Sequence, residues 1–181
     1  MNQIITKSEY NKDAHKKLYY FSMFRRSASF YFMLLLILGL GAYVLYNAIS
    51  SGKEEEIFTG VLLVLATMLL TPTFMFGKIG SNLRKDEESR KGIIETIVIN
   101  KEKISRKLDG SESVVIGWKQ VEAIYERKNY YFFFLNGDQS LIVDKSKFVE
   151  GDSEVLVKLV EKYGPLNRRG KSVLKKLKVK K

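Results

Sequence analysis

Two long apolar stretches, residues 28–49 and 57–76, constrain the fold of this chain more than any other feature. Neither stretch contains an Asp, Glu, Lys, Arg or His residue. A helix of about 20 apolar residues spans the roughly 30 Å of hydrocarbon in a bilayer, where each backbone polar group must be paired within its own segment. The sequence therefore predicts two transmembrane helices, and the rest of the 181 residues lies outside the lipid.

A cleaved signal sequence and a buried soluble hairpin are the alternative interpretations of these stretches. A secretory signal has an apolar core of about 7 to 15 residues, and the first stretch is longer and begins later. Helices of a soluble hairpin normally keep a polar stripe. The polar side chains in the two stretches are few and uncharged, among them Tyr31, Tyr43, Tyr46, Asn47, Thr59, Thr67, Thr71 and Thr73. Gly39 and Gly41 permit close helix contact but lack the four-residue spacing of a strong contact motif.

The flanking charges predict the orientation of the hairpin. Residues 1–27 carry six Lys or Arg residues and residues 77–92 carry five, whereas the connector 50–56 has one Lys against three Glu. Lys and Arg concentrate on the cytoplasmic side of short flanks. We therefore expect a two-span protein of the cell membrane, with both termini in the cytoplasm and the acidic connector outside.

Helical patterns flank the hairpin. The run Thr6-Lys7-Ser8-Glu9 has the form of a capping box, which predicts a helix start there. Tyr10, Ala14, Leu18 and Phe21 then share one helical face, so residues 1–27 are predicted as an amphipathic juxtamembrane helix. That helix lies along the inner leaflet or packs on the cytosolic domain, and the sequence leaves both open. Residues 77–92 are charged and are expected to continue the second span as a helical stalk.

Beyond Gly92 the periodicity is that of short strands bounded by turn residues. Asn136-Gly137 is a strong hairpin signal. Tyr130–Leu135 is apolar on both faces, which predicts a central strand. The final helix is capped by Asp152 or Ser153 and ends at Gly164-Pro165. The predicted strands are Ile93–Ile99, Lys103–Leu108, Ser113–Trp118, Val121–Arg127, Tyr130–Leu135 and Ser140–Asp144.

The fold class that follows is α+β: a transmembrane helical hairpin, then a small antiparallel β barrel or sandwich with a C-terminal helix. Short connections between successive strands favour antiparallel neighbours. Strands followed by one closing helix are the order of a pleckstrin-homology-like domain, which we assign by analogy to residues 93–164. Periodicity alone equally allows another small α+β arrangement. Residues 165–181 remain as a basic tail.

The sequence contains none of the usual catalytic motifs. It has no Cys, which excludes disulfides, thiolate nucleophiles and Cys-ligated metals. The only His, His15, lies among lysines and is expected on a solvated helix face. Glu95 interrupts an apolar strand, and we expect it to face a sheet edge beside a neighbouring Lys. The chain is therefore predicted not to be an enzyme and to need no cofactor or metal.

The basic tail is the most suggestive functional feature. Eight cations in residues 168–181 are candidates for contact with anionic lipid of the inner leaflet, at about 1 kcal/mol each. Val173, Leu174 and Leu177 could dip into the interface beside them. Binding to RNA or the ribosome, or no partner at all, are the alternatives. The candidate lipid contacts are Arg168, Arg169, Lys171, Lys175, Lys176, Lys178, Lys180 and Lys181.

Short motifs on both sides of the hairpin resemble the YcxB-like family of bacterial membrane proteins. The resemblance lies in Thr6-x-x-Glu9-Tyr10, Ile116-Gly117-Trp118, Val121, Ile124, Glu126, Tyr131–Leu135 and Lys145-x-x-Phe148. It implies a two-span anchor with a cytosolic domain similar to bacterial pleckstrin-homology-like folds, and little about activity. The chain departs from the family pattern at Asp144, where proline is common, and in its basic tail.

The function expected from these features is non-enzymatic: a membrane anchor that presents a binding or self-association domain at the inner face of the bacterial membrane. A free sheet edge could accept an added strand. Trp118, Tyr125 and Tyr130 are candidate partner contacts if they are exposed, and core residues otherwise. The alternative function is an accessory or regulatory subunit of a membrane transporter or secretion complex, with the spans as its binding surface.

Overall fold

A computed structural model describes residues 3–26, 28–52, 54–137, 139–166 and 170–176. The chain divides into two compact units. The first, here named the β unit, combines Met1–His15 with Asp86–Lys181, and the second, the helical unit, comprises Lys16–Lys85. The β unit is therefore discontinuous in sequence, because the whole helical unit is inserted into it.

The N-terminal segment is a strand followed by a helix: β1 (Gln3–Glu9) and α1 (Lys12–Phe21). The predicted helix start at Thr6 is wrong. Residues 3–9 form a strand instead. Ile4 and Thr6 are at most 1% exposed and alternate with less buried residues, which is the pattern of a strand with one buried face. The N-cap of α1 is Asn11, whose side-chain Oδ1 accepts a hydrogen bond from the Ala14 amide at 3.1 Å.

The helical unit contains the two apolar helices, α2 (Ala28–Ser51) and α3 (Glu54–Arg90). Both are long and apolar enough to cross a membrane by length and composition. The second helix continues through residues 77–90 and ends two residues before the predicted end of the stalk at residue 92. The helices meet at small residues: a Cβ on Gly60 would lie 3.3 Å from the Ala48 Cβ, and one on Gly41 would lie 3.3 Å from a Val64 methyl. Because glycine has no side chain, it lets two helices approach each other this closely.

The chain then forms a series of short strands and one helix. Three predicted strands, those at residues 103–108, 130–135 and 140–144, have their expected bounds, and the Asp152 side chain caps the helix by accepting a hydrogen bond from the Val155 amide. The elements are β2 (Ile94–Asn100), β3 (Lys103–Leu108), β4 (Val114–Gly117), β5 (Val121–Glu126), β6 (Tyr130–Leu135), β7 (Ser140–Asp144), β8 (Phe148–Glu150), α4 (Ser153–Tyr163) and β9 (Leu174–Lys176).

These strands form two sheets, one with the order β4-β3-β2-β1-β8 and one with the order β7-β6-β5-β9. In the first sheet, β1 pairs antiparallel with β2, with Ile4 opposite Ile99 and Thr6 opposite Ile97. In the second, β6 lies between β5 and β7, and every residue of β6 is buried, so the prediction of a central strand is confirmed.

One core joins the two sheets and α4. It includes Ile4 and Ile97 from the first sheet, Phe133 from the second, and Leu156 and Val160 from α4. The sequence predicted a small β barrel or sandwich. Among the described strands the two sheets do not close into a barrel, so the barrel alternative is wrong. A short 3-10 helix, Trp118–Gln120, separates β4 from β5, and these consecutive strands belong to different sheets.

Thr6 offers a test of this packing, because within the described part of the chain its buried Oγ1 has no hydrogen-bond partner. Replacing Thr6 with Val keeps the shape and removes the unsatisfied hydroxyl, so we expect the free energy of unfolding to rise by about 1 kcal/mol. Thr6→Ser, which keeps the hydroxyl and loses a methyl group, should lower it. Fluorescence of Trp118, the only Trp, reports unfolding in detergent. A less stable Val variant would mean that the hydroxyl is paired.

Candidate functional site

A polar cleft of about 770 Å³ lies in the β unit, where the β1–α1 turn approaches β6 and β7. We name it the N-terminal cleft. Strand pairing builds its walls: Ser8 of β1 lies opposite Glu95 of β2, and Tyr130 of β6 lies opposite Asp144 of β7. The lining consists of residues 7–15 with Ile94, Glu95, Tyr130, Ile142, Asp144 and Lys147.

His15 forms part of one wall, where it is partly buried rather than on the fully solvated helix face that the sequence predicted. Its Nδ1 lies 3.0 Å from the Asn11 carbonyl oxygen, to which an Nδ1–H donates. The remaining Nε2 then faces the Arg90 guanidinium, which donates to it across 3.5 Å. The Tyr10 ring lies 4.5 Å from the imidazole. Burial, and after it the charge of Arg90, lowers the pKa of His15 against the opposing effects of the Asn11 hydrogen bond, Asp86 and Glu95.

The same region ties the first turns of α1 to the last turns of α3. Lys12 Nζ lies 2.7 Å from a carboxylate oxygen of Glu87, and Arg90 lies 3.9 Å from Asp86 as well as next to His15. The hydrogen bond from Lys12 lowers the pKa of Glu87. We name these contacts the α1–α3 clamp. Its two contacts between the helices, Lys12–Glu87 and His15–Arg90, each join residues 75 positions apart, so no pattern in a single sequence could have revealed them.

The depressed pKa of His15 predicts a pH dependence of stability. Below the ordinary His pKa of about 6.5 the unfolded chain takes up a proton that the folded chain does not, so stability falls as the pH drops through that value. Above it, His15 is neutral in both states and contributes no slope. Unfolding in detergent, followed by Trp118 fluorescence, measures the stability at pH values from about 7.5 to about 5. Over this range His15→Gln should lose less stability than the parent chain. Equal losses of stability would contradict a partly buried imidazole that stays neutral in the folded chain.

The opposite wall is acidic and aromatic. Tyr130 is 7% exposed, and burial, then the charges of Asp144 and Asp13, raises its pKa. Asp144 also accepts a hydrogen bond from the Ser146 amide at 2.9 Å, so it starts the short 3-10 helix Lys145–Lys147. Across the described residues there is no group of three His, Cys, Asp or Glu side chains that could hold a metal ion. The cleft is suited to hydrogen bonds and ion pairs with a polar ligand.

Two further ion pairs link elements of the β unit. Glu95 pairs with Arg106 of the adjacent β3, so it lies inside the first sheet rather than at an edge beside a Lys as predicted. Lys145 lies 2.8 Å from Glu126 of β5 and 4.5 Å from the centre of the Tyr131 ring. This second contact joins three of the residues that carry the family resemblance, and it holds the β7–β8 loop against β5 and β6.

The predicted aromatic contacts are mostly core residues. Trp118 and Tyr130 are each 7% exposed, and the Trp118 indole N–H donates to the Asn100 carbonyl at 3.0 Å. Tyr125 is partly buried and meets Phe134 edge-on at 5.7 Å. The partner-contact hypothesis required exposure, and Trp118 and Tyr130 do not meet that condition.

Part of the basic tail folds onto the β unit. Leu174–Lys176 forms β9, which pairs parallel with β5, and Val173 is 3% exposed in the core. Val173 and Leu174 were expected to dip into the lipid interface, but in this arrangement both pack against the core. Of the candidate lipid contacts, Lys171 and Lys175 are exposed and Lys176 lies in β9. Arg168, Arg169, Lys178, Lys180 and Lys181 lie outside the described residues.

Comparison with known proteins places one segment of this fold in a family. No curated protein and no solved structure shows a significant match to the chain. Residues 99–160 match the model of the YcxB-like protein family. The matched segment runs from the end of β2 into α4 and leaves out β1 and the hairpin. The match confirms the resemblance for the motifs within residues 99–160, and the Thr6-x-x-Glu9-Tyr10 motif lies outside it: this chain contains a YcxB-like region over residues 99–160.

Proposed function

We propose that this chain is a non-enzymatic membrane-anchored protein that presents a pleckstrin-homology-like domain at the inner face of the bacterial membrane, where the domain binds a partner or self-associates. The observation that carries the proposal is the pairing of β1 with β2. β1 precedes the two apolar helices and β2 follows them, and the two strands share seven register positions in one sheet.

This pairing constrains any membrane topology. Two hydrogen-bonded strands lie on the same side of a bilayer, so the chain between them crosses an even number of times. Two helices of sufficient length meet that requirement. The basic residues on both flanks of the hairpin favour the cytoplasm for the β unit and for both termini.

The pleckstrin-homology-like assignment is supported by the order of elements. Two antiparallel meanders, β1–β4 and β5–β7, are followed by α4, which contributes Leu156, Leu159 and Val160 to the shared core. A closing helix packed over the core of two sheets is the arrangement that the sequence analogy requires. In this chain the hairpin is inserted between the first two strands.

Cysteine accessibility tests the anchorage and the topology. The chain has no Cys, so single substitutions report one site each. Gly52→Cys lies in the connector between α2 and α3, and Ser111→Cys lies in the β3–β4 turn of the β unit. A membrane-impermeant maleimide should label the first in intact cells and the second only after lysis. Labelling of Ser111→Cys in intact cells would overturn the proposed orientation.

Binding is proposed to use the N-terminal cleft, because it is the described surface where many polar and charged side chains converge around an open volume. Lys7 lines the cleft and is exposed, whereas Lys119 is also exposed and does not line the cleft. Purification in mild detergent with identification of co-purifying proteins should show partners that Lys7→Glu loses and Lys119→Glu keeps. Loss with both variants, or with neither, would contradict binding in the cleft.

Self-association is favoured by one exposed strand edge. β4 is the outermost strand of the first sheet, and Val114 and Val115 are 56% and 53% exposed. Native edge strands are usually protected by charge, proline or a bulge, and residues 113–117 contain neither a charge nor a proline. Mass measurement in detergent should show a smaller assembly for Val115→Lys than for the parent chain if this edge pairs. An unchanged mass would remove this edge from the proposal.

The accessory-subunit function is the second candidate, and the exposed surface of the helical unit favours it. Leu35, Leu69 and Phe74 are exposed apolar side chains that lipid or the helices of another membrane protein would cover. Replacing residues 28–76 with an unrelated hairpin separates the two functions. Partners that disappear with the native hairpin support the accessory role, and partners that remain support binding by the β unit.

A further inference from the structure

The pairing within the first sheet determines which backbone groups of β4 bond to β3. Hydrogen-bonded and non-hydrogen-bonded residue pairs alternate along an antiparallel ladder. The Asp109 amide donates to the Ile94 carbonyl at 3.0 Å, in line with the β2–β3 ladder. Counting in steps of two from Asp109, Ser105 also bonds to β2. Its neighbour Ile104 therefore bonds to β4, where it lies opposite Ile116.

The alternate residues along β4 direct their backbone groups away from the sheet. These residues are Val115 and Gly117, with Ser113 just before the strand. The Gly117 amide agrees with this assignment, because it donates to the Gln120 side-chain oxygen at 2.9 Å. Among the described strands β4 is the outermost of its sheet, so no strand covers this edge.

The side chains of β4 extend beyond the core that the chain itself provides. Val114 and Ile116 share one face of the strand, because side chains alternate between faces. Ile116 is 5% exposed and belongs to the core, whereas Val114 on the same face is exposed. Val115 is exposed on the opposite face. Both valines therefore present apolar surface that an added strand would cover.

The charges at the two ends of this edge are complementary to each other. Glu112 comes before the edge and Lys119 after it, and residues 113–118 between them carry no charge. Both charged residues are exposed, and neither forms an ion pair with another residue that the structure describes. An antiparallel second copy would bring its Lys119 towards this Glu112, and its Glu112 towards this Lys119. A parallel copy would instead bring like charges together, which is destabilising.

We infer that β4 pairs antiparallel with β4 of a second copy of this chain, about a two-fold axis at Val115. This register pairs all the outward-facing residues: Val115 lies opposite Val115, and Ser113 lies opposite Gly117 of the second copy. A shift of two residues in either direction leaves one of them unpaired. On the core face, Val114 lies opposite Ile116 of the second copy. The two five-stranded sheets then form one continuous sheet.

The inference rests on the proposed function and makes its self-association specific. It names the partner as a second copy of the chain, the surface as the outer edge of β4, and the register as the one centred on Val115. The Gly117 amide stays bonded to Gln120, so Gly117 joins the shared ladder through its carbonyl. Membrane anchorage would keep the copies in one plane, so that a short ladder is enough to hold them together.

Single-cysteine cross-linking of the full chain in isolated membranes tests this register, because the chain has no Cys of its own. Val115→Cys lies on the axis and should form a disulfide-linked dimer when copper phenanthroline is added. Ser113→Cys alone should cross-link at least about tenfold more slowly, because its two copies would lie about 13 Å apart and a disulfide requires Cα atoms within about 7 Å. Chains with Ser113→Cys and chains with Gly117→Cys, produced together, should cross-link to each other.

Charge reversal tests the two ends of the ladder in the Val115→Cys background. Glu112→Lys should slow cross-linking about fivefold, because two exposed ion pairs in the dimer become two repulsive contacts. Lys119→Glu should have the same effect for the same reason. The two reversals combined should restore the rate, since they exchange the charges and keep the pairs.

The matched control is Val149→Cys, an exposed valine of β8 at the opposite edge of the same sheet, which should cross-link slowly. Equal rates for Val149→Cys and Val115→Cys would overturn the inference, as would a cross-linked product with the mass of a different protein. A dimeric mass in mild detergent without cross-linking at Val115→Cys would leave self-association standing and overturn this edge and register. Extraction of the chain by alkaline carbonate would instead indicate failure of the proposed anchorage.

Discussion

Deleting residues 1–9 should unfold the β unit, although the family match begins only at residue 99. The deletion removes β1, which lies between β2 and β8 in the first sheet. It exposes core residues that now face Ile4, which is fully buried, and it breaks seven register pairs. A fully buried aliphatic side chain contributes about 1.5–3 kcal/mol. Together with the lost pairing, this is comparable to the whole stability of about 5–15 kcal/mol of a typical domain.

Two shortened chains test this requirement without the complication of the hairpin. The first joins residues 1–15 to residues 86–181 through a short Gly/Ser linker, since the α1–α3 clamp brings these ends together. The second comprises residues 86–181 alone. We expect cooperative unfolding, measured by Trp118 fluorescence and circular dichroism, from the first chain and not from the second. Cooperative unfolding of the second chain would show that β1 is dispensable.

Gly151→Ala should be strongly destabilising. Gly151 follows β8 with a φ of 77°, a left-handed conformation that costs a residue with a Cβ about 1 kcal/mol. An added Cβ would also overlap the Ile4 side chain and lie 3.0 Å from the Gln3 carbonyl oxygen. Because Ile4 is fully buried, it cannot move aside without disturbing the core. Overpacking of this kind costs about 1–3 kcal/mol, so we expect a total loss of about 2–4 kcal/mol.

Gly137→Ala is the matched control for that substitution. Gly137 has the same φ of 77°, and a Cβ there would meet no atom within 4 Å. Its cost should therefore be the backbone cost alone, about 1 kcal/mol. Urea unfolding of both variants in detergent, followed by Trp118 fluorescence, gives the difference between them. Equal losses would mean that the contact between Gly151 and β1 is not tightly packed.

Much of the architecture was predictable because its signals are local. The two apolar helices follow from length and composition, and strands β2 to β7 follow from short apolar runs between turn residues. The Asp152 cap was predictable because a capping side chain needs only its own helix start. The position of β6 at the centre of its sheet followed from a run, Tyr130–Leu135, that is apolar on both faces.

The errors occurred where partners distant in sequence override a local pattern. The capping-box pattern at Thr6 is compatible with a helix, but the edge of β2 pairs with this segment and buries Ile4 and Thr6. β9 was missed because it is short and rich in Lys, which are features typical of a solvated tail. It becomes a strand only because β5 supplies a free edge and the core accepts Val173.

The candidate site was the least predictable part. His15 was placed on a solvated face because lysines surround it in sequence, whereas Asn11 and Arg90 bind both of its ring nitrogens. Lys12 and Glu87 form an ion pair between two segments of the β unit that are far apart in sequence. Glu95 was correctly expected to be paired, but its partner is Arg106, because β2 is an interior strand and its neighbour β3 offers a guanidinium.

The amino-acid sequence alone determined the apolar hairpin, most of the strands and the closing helix, since each depends on spacings within one segment. It did not determine that the N-terminal strand completes the first sheet, that the tail completes the second, or that a cleft lies where the β1–α1 turn approaches β6 and β7. Those features depend on contacts between residues far apart in the chain. Such contacts form only when the sheets pack, and the buried surface and hydrogen bonds gained there outweigh the weaker preferences of each short segment.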